Sequence, residues 1–113
     1  MLVAEGSDVF AAVASPVRRR LLGLLLEAGP LPVQQLAGHF AMSRPSVSEH
    51  LKVLKDAGLV REHKTGRHRY YQIDPEPLQE LSRWLTPYER FWRQKLASLR
   101  ELLDEPGGPR DRG

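Results

Sequence analysis

The residues best suited to chemistry are short polar and cationic side chains packed into one stretch, Ser43-Arg44-Pro45-Ser46-Val47-Ser48-Glu49, with Lys52 and Lys55 just beyond. Val47, Leu51 and Leu54 fall on one helical stripe. With about 100° between successive side chains, Pro45, Ser48, Glu49, Lys52 and Asp56 then face away from that stripe, flanked by Arg44 and Ser46. A guanidinium can hold guanine with two hydrogen bonds, a carboxylate can accept from the cytosine amine, and serines allow close approach to base edges. Lys52 and Lys55 suit phosphates, as does a second cluster, Lys64, Arg67, His68 and Arg69, around Thr65-Gly66. Arginine is also favoured in a narrow minor groove. The chemistry these residues could do is recognition of double-stranded DNA.

The elements that must position them are legible around the cluster. Val33, Leu36, Ala37 and Phe40 mark one amphipathic helix, and Ala41-Met42-Ser43 is short enough only for a tight turn into a second. Ser43 reads as the N-cap, its hydroxyl accepting from the amide of Ser46, with Pro45 in the first turn where no donor is missed. Met42 and Val47 form the hydrophobic pair that clips the chain at a helix start. Ala57-Gly58 ends the helix. Residues 59–64 and 67–73 are rich in β-branched and aromatic side chains and make a hairpin. Thr-Gly favours a three-residue loop with Gly66 at the left-handed site, the strand register staying open. His63 and His68 can face each other across that hairpin.

Upstream, Ser7-Asp8 can cap a short helix through Val9, Phe10 and Val13. Ser15-Pro16 opens another, with Val17, Leu21, Leu24 and Leu25 buried and Gly29-Pro30 ending it. Arg18, Arg19 and Arg20 lie on three azimuths and read as a solvated run with local ion pairing. Downstream, Asp74-Pro75 opens a last helix with a long apolar stripe, Leu78, Leu81, Leu85, Tyr88, Trp92, Leu96, Leu99 and Leu103. Thr86-Pro87 predicts a kink or a restart within it. No strand or sheet is left over to cover this stripe.

The chain resembles the ArsR-type family of small bacterial winged-helix repressors. The resemblance rests on Leu36-Ala37, the run from Ser43 to Leu54, Ala57-Gly58-Leu59-Val60, Gly66-Arg67, Tyr70-Tyr71, and upstream on Ser15-Pro16-Val17-Arg18-Arg19-Arg20-Leu21-Leu22. It covers about residues 8 to 103 and departs at Ser15, where an acidic residue is commoner. It implies a mainly α winged helix-turn-helix of about five helices plus a two-stranded wing, with DNA held by Ser43, Arg44, Pro45, Ser46, Ser48, Glu49, Lys52, Lys55, Lys64, Arg67 and Arg69. It also implies a homodimer built from the first and last helices, through Phe10 and through Leu78, Leu81, Leu85, Tyr88, Trp92, Leu96 and Leu99. Two recognition helices related by a twofold axis call for an approximate inverted-repeat operator.

Composition agrees. A chain of 113 residues is one small domain, residues 1–105, followed by a disordered Gly/Pro-rich tail, 106–113. The net charge is only +3, yet residues 43–73 hold seven Lys/Arg against three Asp/Glu, while residues 1–42 balance and residues 74–113 come to −1. The positive excess lies where phosphate would be met.

The absence of cysteine rules out disulfides and thiolate metal ligands, and no apolar run is long enough to cross a membrane, so a cytoplasmic protein with no membrane partner is expected. The family's metal sensors use a Cys-bearing first helix or a His and carboxylate set on the last. Here the first position reads Leu31-Pro32-Val33-Gln34-Gln35-Leu36, and no His follows His68. We therefore expect a metal-independent regulator without cofactor. Trp84, Tyr88, Phe91 and Trp92 read as packing, leaving room for a small apolar inducer of unknown identity. No nucleophile, phosphate loop or acid-base set indicates an enzyme. The alternative is a winged-helix module that binds protein or RNA without reading duplex sequence; it would not require the positive bias on helix and wing.

Overall fold

The computed structural model describes residues 8–104. Its elements run α1 (Val9–Ala12), α2 (Pro16–Ala28), β1 (Leu31–Pro32), α3 (Val33–Ala37), α4 (Arg44–Asp56), β2 (Val60–Thr65), β3 (His68–Ile73) and α5 (Leu78–Asp104). Two compact units divide between Leu81 and Ser82, the first holding everything up to the start of α5. The expected tail at 106–113 and the cap residue Ser7 lie outside the described residues.

In the first unit the helix starts follow local chemistry. Asp8 accepts from the Phe10 amide at 2.9 Å, and Ser15 Oγ from the Arg18 amide at 3.3 Å, with Pro16 in the first turn of α2. Burying Leu21 and Leu25 of α2, Leu36 of α3, Val47, Leu51 and Leu54 of α4, and Leu59 and Val60 makes one core beside Val9 and Ala12 of α1. Each fully buried Leu or Val contributes on the order of 1.5–3 kcal/mol by leaving water. This core is what holds α4 against α2 and α3 and leaves its other face free.

Three features correct the sequence reading. Arg18 and Arg19 are not paired with acids: Arg18 Nε donates to the Ala12 carbonyl at 2.7 Å, Arg18 Nη2 to Ala11 at 3.2 Å, and Arg19 Nη1 to Val13 at 2.8 Å. These guanidiniums cap carbonyls at and just past the end of a four-residue helix, the Ala11 carbonyl also accepting from the Ala14 amide at 3.2 Å. Arg20 lies over the Phe40 ring, 5.2 Å from its centroid. Second, the hairpin loop has two residues, not three. Thr65 pairs with His68, leaving Gly66 and Arg67, and only Gly66 takes a positive φ, 63°. A positive φ confined to the first central position is the type II′ pattern, which matches strand twist and requires Gly there. Third, the sheet has a further strand: β1 pairs antiparallel with β3, Leu31 opposite Tyr71 and Pro32 opposite Tyr70, giving the order β1-β3-β2. A two-residue edge strand containing proline carries no period-2 signal, and an edge is where a missing amide is tolerated.

The sheet register also corrects the histidines. His63 stands opposite Tyr70 rather than His68, and both imidazoles contact that ring, His63 stacked at 5.8 Å and His68 edge-on at 6.3 Å between centroids.

α5 runs through Pro87 without a restart. The Thr86 hydroxyl donates to the Ser82 carbonyl at 2.8 Å one turn before the proline, and Arg83, whose carbonyl loses its helical donor, is exposed. From Ser82 onward every described side chain is exposed, including Trp92 at 61% and Tyr88 at 56%.

Candidate nucleic-acid interface

The start of α4 is built as its sequence dictates. Ser43 Oγ accepts from the Ser46 amide at 3.2 Å and donates to Ser46 Oγ at 3.0 Å, which leaves the Ser46 hydroxyl hydrogen free to donate outward. Val47 is fully buried one residue later, and Met42 packs against the same core. The helix is thereby fixed about its axis, with Arg44, Pro45, Ser46, Glu49 and Lys52 exposed and Ser48 half-buried. At the far end Gly58 takes φ 81°, and the chain turns into β2. The turn is short because Gly tolerates the left-handed region at no steric cost.

The cations expected to meet phosphate divide into two groups. Lys52 pairs with Asp56 at 2.9 Å, one turn along the helix. Lys55 and Arg69 both bind Glu62, at 2.8 Å each and through different carboxylate oxygens, and the Tyr71 hydroxyl approaches the same carboxylate at 3.4 Å. Glu62, only 12% exposed, thus links the end of α4 to both wing strands. The hydrogen bond from Lys55 holds its carboxyl below the usual carboxylate range, with Arg69 adding to the effect against the opposing cost of burial. The same bond raises the Lys55 ammonium, and burial, reinforced by Glu62, raises the Tyr71 phenol. Arg44, Lys64 and Arg67 have no ion-pair partner among the described residues. Arg61 sits 3.4 Å from Asp74.

Sequence reasoning missed the role of Glu62. Val60, Glu62 and Lys64 alternate onto one face of β2, and register puts Glu62 opposite Tyr71. Alternation alone could have placed Glu62 beside the core, but the approach of Lys55 depends on how α4 lies against the sheet. Equally unforeseen is a link inside the fold: Arg18 Nη1 lies 3.1 Å from His50 Nδ1, tying α4 to α2 and, through the Ala11 and Ala12 carbonyls, to α1. Because arginine only donates, the His50 Nδ1 must accept.

Chemically the surface offers hydroxyls, a carboxylate and the Arg44 guanidinium on a fixed helix, beside a hairpin with cations at its tip. That arrangement suits a groove lined by phosphates. No group of three or more His, Asp or Glu suited to a metal ion occurs among the described residues.

Comparison with known proteins agrees with this geometry. Residues 15–62 match the family described as bacterial regulatory protein, arsR family. The chain is 43% identical to the HTH-type transcriptional regulator Rv2034 of Mycobacterium tuberculosis over 85% of its own length and 86% of the relative's. It is 37% identical to the transcriptional repressor SdpR of Bacillus subtilis over 70% of its length and 87% of that protein's. Among solved structures, a possible transcriptional regulator for arsenical resistance superposes with a TM-score of 0.64 at 41% identity, covering 86% of this chain and 94% of that one. With its helix-turn-helix, its wing and these relatives, the chain belongs to the bacterial ArsR family: it is a DNA-binding transcriptional regulator of the winged-helix type, not an enzyme.

Proposed function

We propose that the chain acts as a homodimeric repressor that sits on an approximate inverted repeat in duplex DNA and is not switched by thiolate-bound metals. The observation that carries this reading is the capped, core-anchored α4, whose exposed face of Arg44, Pro45, Ser46, Glu49 and Lys52 is followed directly by a wing tipped with Arg67. α4 enters the major groove amino-terminus first, Arg44, Ser46, Ser48 and Glu49 meeting base edges. Ser43 and Pro45 set the helix start against the backbone. Lys52 and Lys64 meet phosphates, and Lys55 and Arg69 do so while held by Glu62.

The exposed apolar stripe of α5, Leu78, Leu85, Tyr88, Trp92, Leu96 and Leu99, with Leu81 packed on the core, supports the dimer. Monomeric proteins rarely leave such a run in water. Phe10, half-buried on α1, is the expected contribution of the first helix. Two copies would set half-sites about one helical turn apart, roughly 34–36 Å, or a multiple. Repression then follows from occupying a promoter. Because the chain has no cysteine, its release signal is other than a soft ion captured by thiolates. A small apolar inducer held among the α5 aromatics, Trp84, Tyr88, Phe91 and Trp92, is the form of signal most compatible with that surface.

Fluorescence anisotropy with labelled duplex DNA, structured RNA as competitor and a salt series tests the reading. Duplex binding that weakens steeply with salt and resists RNA is expected. A preference for RNA, or a salt-insensitive affinity, contradicts it.

A further inference from the structure

A cleft of about 370 Å³ opens between α3, the first turn of α4 and the tip of the wing, lined by Val33, Gln34, Arg44, Arg67, His68 and Arg69. Three guanidiniums and an imidazole, from the recognition helix and the wing, line it together, and no carboxylate does. Arg69 shares its charge with Glu62, whereas Arg44 and Arg67 have no ion-pair partner among the described residues. Gathering like charges around a hollow costs energy that an anion inside would recover. The backbone at the start of α4 cannot hold that anion alone. Pro45 has no amide hydrogen, the Ser46 amide is taken by Ser43 Oγ, and the Val47 amide by the Ser43 carbonyl. The side chains must do it.

We propose that this cleft is the seat of a single phosphate group of the DNA backbone, gripped jointly by Arg44 from the recognition helix and Arg67 from the wing. The proposal rests on the duplex-binding reading and deepens it by moving Arg44 from base reading to phosphate positioning. Guanidinium forks match phosphate oxygens in geometry as well as charge. The Gln34 amide nitrogen lies 3.5 Å from His68 Nδ1, which leaves Nε2 as the ring nitrogen available to the anion. Room is ample: at about 370 Å³ the open cleft is far larger than the ~30 Å³ share of one water, enough for a phosphodiester with its flanking atoms. One phosphate held from both sides makes the depth of α4 in the major groove depend on the placement of the wing. Sequence discrimination then falls to Ser46, Ser48 and Glu49.

The test compares wild type, Arg44→Gln, Arg67→Gln and the double variant of the full chain by anisotropy on one duplex across a salt series, with a parallel titration of inorganic phosphate followed by NMR of the arginine Nε–H signals. Both arginines are exposed, so the fold tolerates their loss. For a shared phosphate, the double variant lowers the slope of log affinity against log salt by about 0.9 per bound protomer, and neither single variant exceeds it. Inorganic phosphate shifts the Arg44 and Arg67 signals together and saturably. A double-variant decrease near 1.8, as for two independent phosphates, or no decrease at all, overturns the seat and leaves duplex binding intact. Absent phosphate-induced shifts overturn it as well. Failure of wild type to bind any duplex while the phosphate shifts persist overturns the DNA reading and leaves a seat for free phosphate.

Discussion

Lys55 Nζ lies 2.8 Å from Glu62 Oε1, and this one pair joins the end of the recognition helix to the first strand of the wing. The other Glu62 oxygen binds Arg69 across the hairpin at the same distance. Helix and wing are therefore oriented by a carboxylate set among the cations that phosphate would otherwise claim.

Glu62→Gln should loosen this link and free two cations. A carboxyl held below its unfolded value stabilises the fold fully above that value and loses the contribution as pH falls through the lower, folded value. Wild type should lose this part of its stability below about pH 4, where an unperturbed glutamate titrates, and the variant should lack that portion of the dependence. Since Lys55 and Arg69 are more than half exposed, the loss at neutral pH should be only about 1 kcal/mol. Urea denaturation at several pH values measures it. On random duplex the variant should bind more tightly at low salt with a steeper salt slope; an unchanged slope would show that Glu62 does not restrain these cations.

Arg18→Ala should destabilise the first unit by about 1–3 kcal/mol, because two carbonyls at the end of α1 and the His50 ring lose a charged donor together. Arg18→Lys should recover little, since an ammonium cannot reproduce the three-way fork. Full recovery with lysine in chemical denaturation would mean that charge, not geometry, matters at this position.

Leu96→Glu should dissociate the proposed dimer without unfolding the first unit, as Leu96 sits on the exposed stripe of α5. Sedimentation velocity should show wild type as a dimer and the variant as a monomer. Loss of bivalency should weaken binding to an inverted repeat by roughly 10²–10⁴-fold while leaving half-site affinity nearly unchanged. A wild-type chain that sediments as a monomer sinks the dimer.

Arsenite should leave the DNA affinity of this chain unchanged, because it holds no cysteine to capture a soft ion. Release of bound duplex on adding arsenite, followed by anisotropy, would contradict the proposed independence from thiolate-bound metals.

The sequence was most readable where local chemistry decides structure. Ser43, Pro45 and Val47 fix where α4 begins; Ser15 and Pro16 do the same for α2; Gly58 and Gly66 mark the reversals. What could not be read depends on distant partners. β1 exists because Leu31 and Pro32 find Tyr71 and Tyr70 about forty residues on, and nothing in a two-residue strand announces that pairing. The arginine run looked like a solvated face because helical azimuth does not say where neighbouring carbonyls end. Glu62 and the arginine-lined cleft share this origin: both arise only when α4, α3 and the hairpin are placed together. Within the candidate interface, residue types were legible and partnerships were not.

The most direct measurement is selection of bound fragments from random duplex DNA by the 113-residue chain, followed by sequencing. Recovery of an approximate inverted repeat with half-sites about 10–10.5 base pairs apart, or a multiple, is the predicted result. Enrichment of no sequence, or of a single unrepeated site, would contradict a dimeric reader that places α4 in successive major grooves.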